Sequence, residues 1–136
     1  MYAYFLYTFS IKIERFIYNL LLSMCMNISK KDLIRINYGF GGNLKNDSSL
    51  DYAIDIQKNN KLGNYKKLAY LLRAILVDHP FSDGNKRTTM FLCLNFAEEN
   101  KKQIDRDLLI EQIVSIAKNN INEIRNIERR IKNCIR

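Results

Sequence analysis

Proline and glycine are scarce in this chain. Its 136 residues include one proline and five glycines, so few positions break a helix or demand a tight turn. Leucine and isoleucine instead recur at the three- and four-residue spacing of a helical face. The sequence therefore predicts an all-α protein, and its length predicts a single domain over residues 1–136. A hydrophobic content of 47% excludes wholesale disorder.

Several nucleotide and metal motifs are missing. Neither a Gly-x-x-x-x-Gly-Lys-Ser/Thr loop nor a Gly-x-Gly-x-x-Gly turn is complete, which argues against a P-loop or dinucleotide-binding fold. The cysteines Cys25, Cys93 and Cys134 are odd in number and lack the spacing of metal ligands. We interpret them as reduced thiols of a cytoplasmic protein, two of them on apolar helical faces.

No apolar run is long enough to span a membrane. Residues 1–11 and 16–26 are rich in tyrosine, phenylalanine and leucine, but neither run reaches the ~18 residues expected of a span. The start also lacks a basic region and a small-residue cleavage site, so no secretory signal is expected. Residues 1–26 are expected to form a helix on the core; alternatively, Met26 is the natural start and the preceding segment is an extension.

Negative charge is in the minority, because 22 lysines and arginines oppose 14 aspartates and glutamates and leave a net charge of +8. The last predicted helix contributes Arg125, Arg129, Arg130, Lys132 and Arg136. Basic proteins of this size often bind nucleic acid or an acidic partner. No nucleic-acid motif accompanies these residues, so nucleic acid is not the expected partner. A basic helical binding module without catalysis stays an alternative, and a solvated basic face is the simplest interpretation.

Capping residues and apolar periodicity place the helices. Ser29 and Asp32 have the spacing of a capping box, and Asn64, Asp105 and Asn120 are candidate N-caps. The predicted helices run from Ser29 to about Asn37, Ser48 to about Lys58, Tyr65 to Asp78, from near Asn85 onward, Asp105 to Lys118 and Asn120 to about Cys134.

Most of the reactive side chains lie in residues 79–88, His-Pro-Phe-Ser-Asp-Gly-Asn-Lys-Arg-Thr. His79 is the only histidine of the chain. Pro80 disfavours helical geometry in the residue before it, so the preceding helix should end near His79. Phe81 is expected to point into the core and fix the loop.

The start of the following helix has the features of an anion site. A helix N-terminus presents unpaired N–H donors and partial positive charge. Gly84 allows close approach to a ligand, and Lys86 and Arg87 add positive charge. Asp83 supplies a hard oxygen ligand for Mg²⁺. We therefore predict a Mg²⁺-bound nucleotide di- or triphosphate as the ligand.

Residues 79–88 resemble the signature of the Fic/Doc (Fido) family, whose members transfer part of a nucleoside triphosphate to a hydroxyl of a target protein. The resemblance implies an all-α helical bundle with a flap before the active-site helices. It also implies that His79 is the catalytic base and that Asp83 binds Mg²⁺. By the same resemblance, Arg87 contacts phosphate in catalysis, and the nucleotide is bound by Gly84, Asn85, Lys86 and Arg87.

Two positions make the chain more similar to the Doc branch. Lys86 and Met90 stand where adenylyl-transferring members have glycine and a second arginine. Doc members are toxins that phosphorylate translation factor Tu and bind the nucleotide in the reversed sense. The resemblance thus implies phosphoryl transfer from ATP with Mg²⁺, a target such as translation factor Tu and an antitoxin as a second partner. The reduced cysteines and the short apolar runs separately predict a cytoplasmic location away from membranes. AMP transfer is the alternative reaction.

The loop at residues 39–47, called the flap-like loop below, resembles the flap with which the family docks its target segment. Its sequence is Gly-Phe-Gly-Gly-Asn-Leu-Lys-Asn-Asp. The resemblance implies that Gly41, Gly42, Asn43 and Leu44 contact the target. A simple surface turn, rich in glycine and asparagine, is the alternative.

Overall fold

A computed structural model describes residues 28–136, and within this range the chain forms six α-helices and no strand. They are α1 (Lys30–Gly39), α2 (Ser48–Ile56), α3 (Asn64–Leu76), α4 (Asn85–Glu99), α5 (Arg106–Lys118) and α6 (Ile124–Cys134). The predicted all-α fold is confirmed. The predictions for residues 1–26, including Cys25, lie outside the described residues. None of the described helices is long and apolar enough to cross a bilayer.

Two helix starts follow the predicted caps. The Ser29 hydroxyl accepts a hydrogen bond from the Asp32 amide at 3.2 Å, and the Ser29 amide donates to the Asp32 carboxylate at 3.0 Å. This reciprocal pair is the capping box predicted for α1. At α5, the Asp105 carboxylate accepts from the Leu108 amide at 3.1 Å. Both predictions are confirmed.

Two other predicted caps were wrong. Asn64 is the first residue of α3 and Gly63 is its N-cap, because the Asn64 side-chain amide donates to the Asn100 side chain at 3.1 Å. Asn120 has a left-handed φ of 49° and lies in the turn that follows α5, and residues 121–123 are not helical. Consequently α6 starts later, with Glu123 at its N-cap.

Helix α3 is the centre of the packing and contacts α2, α4, α5 and α6, while α1 packs on α2 and α4. The buried residues of α3 include Leu68, Leu72 and Ile75. In α4, every residue from Thr88 to Cys93 is buried, so this helix is enclosed on all sides soon after it begins. A helix held in this way fixes the position of the loop that precedes it.

The two described cysteines lie in this interior. Cys93 of α4 and Cys134 of α6 are buried and free, as the sequence predicted. Burial raises the pKa of the Cys93 thiol, and it raises the pKa of Cys134 to about 11. Both groups are therefore protonated, unreactive thiols at neutral pH.

Candidate active site

The loop between α3 and α4 carries the signature. Helix α3 ends at Leu76, three residues before His79. The apolar face of α3, with Leu68, Leu72 and Ile75, would also predict that His79 continues this face, but His79 is exposed and has a left-handed φ of 48°, so it does not. A left-handed residue cannot extend a right-handed helix, and the conformation costs a non-glycine residue about 1–2 kcal/mol. Histidine tolerates it better than most side chains.

Phe81 and Asn85 fix this loop to α4. Phe81 is buried, which confirms that it points into the core. The Asn85 side chain accepts from the Phe81 amide at 3.3 Å and donates to the Phe81 carbonyl at 3.0 Å. Asn85 was predicted to bind phosphate, but both the oxygen and the NH₂ group of its side chain form hydrogen bonds with the backbone of the loop. Helix α4 begins at Asn85, as predicted.

The loop at 39–47 lies against the signature. Leu44 and Phe81 form an antiparallel bridge, and the Lys45 amide donates to the Pro80 carbonyl at 2.7 Å. On the other side, the Ser82 amide donates to the Asn43 carbonyl at 2.8 Å. Two segments that are far apart in the sequence therefore meet next to His79. Of the predicted docking residues, Gly41 and Asn43 are exposed, Leu44 is half-buried and Gly42 is buried.

Gly42 and Asn37 make a contact that sequence reasoning missed. Asn37 is fully buried near the end of α1. Its side-chain amide donates to the Asp83 carbonyl at 2.7 Å and to the Thr88 hydroxyl at 3.2 Å. A Cβ atom at Gly42 would collide with the Asp83 carbonyl and the Asn37 side chain, so only glycine fits there. The available signal was an asparagine on the apolar face that Leu33 and Phe40 share.

Asp83 and Arg87 lie at the start of α4. The Asp83 carboxylate accepts from the Gly84 amide at 2.7 Å and from the Arg87 guanidinium at 3.4 Å. The Asp83 side chain is 70% exposed, whereas that of Arg87 is 16% exposed. Such a long, solvent-facing ion pair is weak. A better acceptor, such as a phosphate, can therefore compete with Asp83 for Arg87.

Helix α4 begins without a side-chain cap. Gly84 occupies the N-cap position with a φ of 73°, and no side chain in the described part of the chain caps the helix. The positive end of the helix dipole and its first N–H groups are therefore left to an external acceptor. Lys86 is half-buried in this first turn and forms no ion pair with any described residue. The helix N-terminus and the Lys86 ammonium group together favour binding of an anion.

Position 90 offers no further cation. Met90 is 1% exposed and belongs to the core of α4. The preceding residue, Thr89, donates its hydroxyl to the Asn85 carbonyl at 3.0 Å. The positive groups at the start of α4 are therefore Lys86, Arg87 and the first N–H groups of the helix.

The carboxylate of Asp83 fits one kind of metal ion. Across residues 28–136, no group of three or more histidine, cysteine, aspartate or glutamate side chains could hold a metal. Mg²⁺ commonly binds through one or two carboxylates and completes its shell with phosphate oxygens and water. The exposed Asp83, next to an anion site, fits a Mg²⁺ ion that arrives with a nucleotide. It does not fit an ion bound by protein ligands alone.

The sequence model of the Fic/DOC family, whose members are generally transferases that modify proteins, matches residues 29–97. No curated protein and no solved structure matches the chain. The matched range runs from the capping box of α1 through the flap-like loop and the signature to near the end of α4. It covers slightly more than half of the 136 residues, so the chain belongs to the Fic/DOC family.

Proposed function

We propose that this protein transfers the γ-phosphate of ATP to a hydroxyl side chain of a target protein. One observation favours transfer of the γ-phosphate over transfer of AMP: Met90 is enclosed in the core. The second arginine of adenylyl-transferring members is therefore replaced by an apolar side chain that cannot reach a ligand. Lys86, at the position where those members have glycine, adds a cation close to the start of α4. Both differences favour a terminal phosphate held against α4.

His79 is the proposed general base. It is exposed on the loop before the anion site, where a protein hydroxyl can reach it, and imidazole accepts a proton near neutral pH. The hydroxyl oxygen bonds to the γ-phosphorus and its proton passes to His79. The bond from the γ-phosphorus to the bridging oxygen breaks, and ADP leaves. A positioned general base contributes about 10²–10⁴ in rate.

The rest of the site would offset charge and align the nucleotide. Arg87 would exchange its long contact with Asp83 for a phosphate oxygen, and Lys86 with the first N–H groups of α4 would bind the others. Mg²⁺ held by Asp83 would neutralise part of the negative charge on the phosphates. Phosphoryl transfer depends mainly on such positioning and electrostatic stabilisation.

The flap-like loop is the proposed docking segment for the target. Asn43 and Leu44 pair with the loop 80–82 next to His79, so a peptide lying along them would present its hydroxyl to the base. Gly42 would act indirectly, because it is buried against Asn37 and Asp83. By resemblance to the Doc branch, we propose translation factor Tu as the target and an antitoxin as a regulating partner, with a toxin-type role in the cytoplasm.

Labelling with ATP tests this function. The purified protein would be incubated with γ-labelled ATP, Mg²⁺ and either translation factor Tu or a cell lysate. We expect a labelled protein band that the His79→Asn variant does not produce. A binding module without catalysis would leave translation factor Tu unlabelled and would add no band to those that the lysate shows without the protein, and that result would reject the proposal.

A further inference from the structure

Asn37 joins three parts of the molecule that meet at the site. It lies in α1, its side-chain amide donates to the Asp83 carbonyl and the Thr88 hydroxyl, and its own carbonyl accepts from the Gly42 amide at 3.1 Å. These contacts reach the signature loop, the first turns of α4 and the flap-like loop. Asn37 is fully buried, so it touches neither solvent nor any ligand.

The bond to the Asp83 carbonyl sets the direction of the next N–H group. In a planar trans peptide, the carbonyl and the N–H point to opposite sides. Because the Asp83 carbonyl points inward to Asn37 at 2.7 Å, the Gly84 N–H must point away from the core. The structure shows this, since the Gly84 amide donates to the Asp83 carboxylate at 2.7 Å, and that carboxylate is exposed.

One polar atom of the Asn37 side chain has no partner in the described part of the chain. Its Oδ1 atom is buried without a hydrogen-bond partner among the described residues, which costs free energy. Turning the amide over would place Oδ1 against the Asp83 carbonyl oxygen, so the orientation is fixed by that bond. A leucine of similar size would remove the unpaired oxygen, but it would also leave the Asp83 carbonyl and the buried Thr88 hydroxyl without this donor, which costs about 1–3 kcal/mol.

We propose that Asn37 is a positioning residue for the phosphate and magnesium site. By holding the Asp83–Gly84 peptide, it turns the Gly84 N–H and the Asp83 carboxylate together toward the ligand side of the loop. Gly42 is the counterpart in the flap-like loop, since any side chain at 42 would push Asp83 and Asn37 apart. This inference rests on the proposed function, because it assigns Asn37 a role toward that site.

The test compares two buried asparagines. Asn95 of α4 is also buried and also has an unpaired Oδ1, but it lies about two turns beyond Thr88. Asn37→Leu and Asn95→Leu would each be examined by thermal unfolding and by calorimetric titration with ATP, with and without Mg²⁺. We expect Asn37→Leu to weaken Mg²⁺·ATP binding by about tenfold, the size of one hydrogen bond. Its unfolding temperature should fall because two hydrogen bonds are lost, so both variants would be titrated at a temperature where unfolding shows them to be folded. Asn95→Leu should bind as the wild type does.

Different failures have different meanings. A folded Asn37→Leu variant that binds Mg²⁺·ATP as tightly as the wild type overturns the inference and leaves the proposed function standing. Equal losses in Asn37→Leu and Asn95→Leu also overturn it. If Asn37→Leu does not fold, Thr88→Val decides, because it keeps the shape and removes one anchor of Asn37; several-fold weaker binding supports the inference and unchanged binding overturns it. A wild type that binds no Mg²⁺·ATP rejects the proposed function, and this inference with it.

Discussion

His79 combines an exposed imidazole with a backbone conformation that most residues avoid. Its φ of 48° makes alanine a poor test of catalysis, because alanine disfavours the left-handed region and can change the loop. Asparagine tolerates that region but cannot serve as the base. We therefore expect His79→Asn to abolish transfer while the unfolding temperature and ATP affinity stay close to those of the wild type. Undiminished labelling by this variant would remove His79 from the mechanism.

Asp83 is the proposed magnesium ligand, and its neutral analogue isolates the effect of charge. Asp83→Asn keeps an oxygen that can accept from the Gly84 amide and removes the negative charge that Mg²⁺ requires. ATP affinity in the presence of Mg²⁺ should fall, whereas affinity in the presence of a chelator should change little. Calorimetric titrations of both proteins measure this. Equal ATP affinity of the wild type with and without Mg²⁺ would contradict the role of Asp83.

The buried thiols predict how stability depends on pH. Burial raises the pKa of Cys93 and Cys134 above the ordinary thiol value, so the folded state keeps protons that the unfolded state releases. Their contribution is fully present below the pKa of an unfolded thiol, ~8.5, and is lost as the pH rises toward about 11, the folded value for Cys134. The free energy of unfolding should therefore fall over this range. A Cys93→Ala, Cys134→Ala double variant that loses stability just as steeply would show that other groups cause the decline.

At the scale of the element, the start of α4 depends on Gly84. Its φ is 73°, and a Cβ atom there would lie 3.1 Å from the Phe40 Cβ atom. Alanine in the left-handed region costs about 1–2 kcal/mol, so Gly84→Ala should lower the free energy of unfolding by about that amount in urea titrations. Gly63→Ala is the matched control, because Gly63 caps α3 at a φ of −68° with open space around it. Similar effects of the two substitutions would contradict this account.

Local sequence signals located some elements and misplaced others. The caps of α1 and α5 could be predicted because each uses a side chain within three residues of the amide it binds. Asn64 and Asn120 were wrongly predicted as N-caps, because an asparagine serves equally well in a cap, a tertiary contact or a left-handed turn. The signature placed the start of α4 correctly. Asn37 was missed because its partner Asp83 is 46 residues away, and only the packed helices bring the two together.

At the scale of the whole molecule, the folding of α1 to α4 brings the flap-like loop and the signature to one place. The periodic apolar pattern could predict the helices but not which loops would meet. Some of the positively charged side chains form contacts within the fold. Arg87 contacts Asp83, and Arg130 donates to Gln112 at 2.6 Å and to Asn126 at 2.7 Å. The net charge of +8 is therefore not by itself the sign of a nucleic-acid surface.

The identity of the transferred group is the central claim, and paired radiolabels test it most directly. Identical reactions containing the protein, Mg²⁺ and a modifiable target would receive ATP labelled either at the γ-phosphate or at the α-phosphate. With Lys86 next to the start of α4 and Met90 enclosed in the core, we expect the γ-label to mark the target and the α-label to leave it unmarked. Marking by the α-label and not by the γ-label would show AMP transfer and contradict the account.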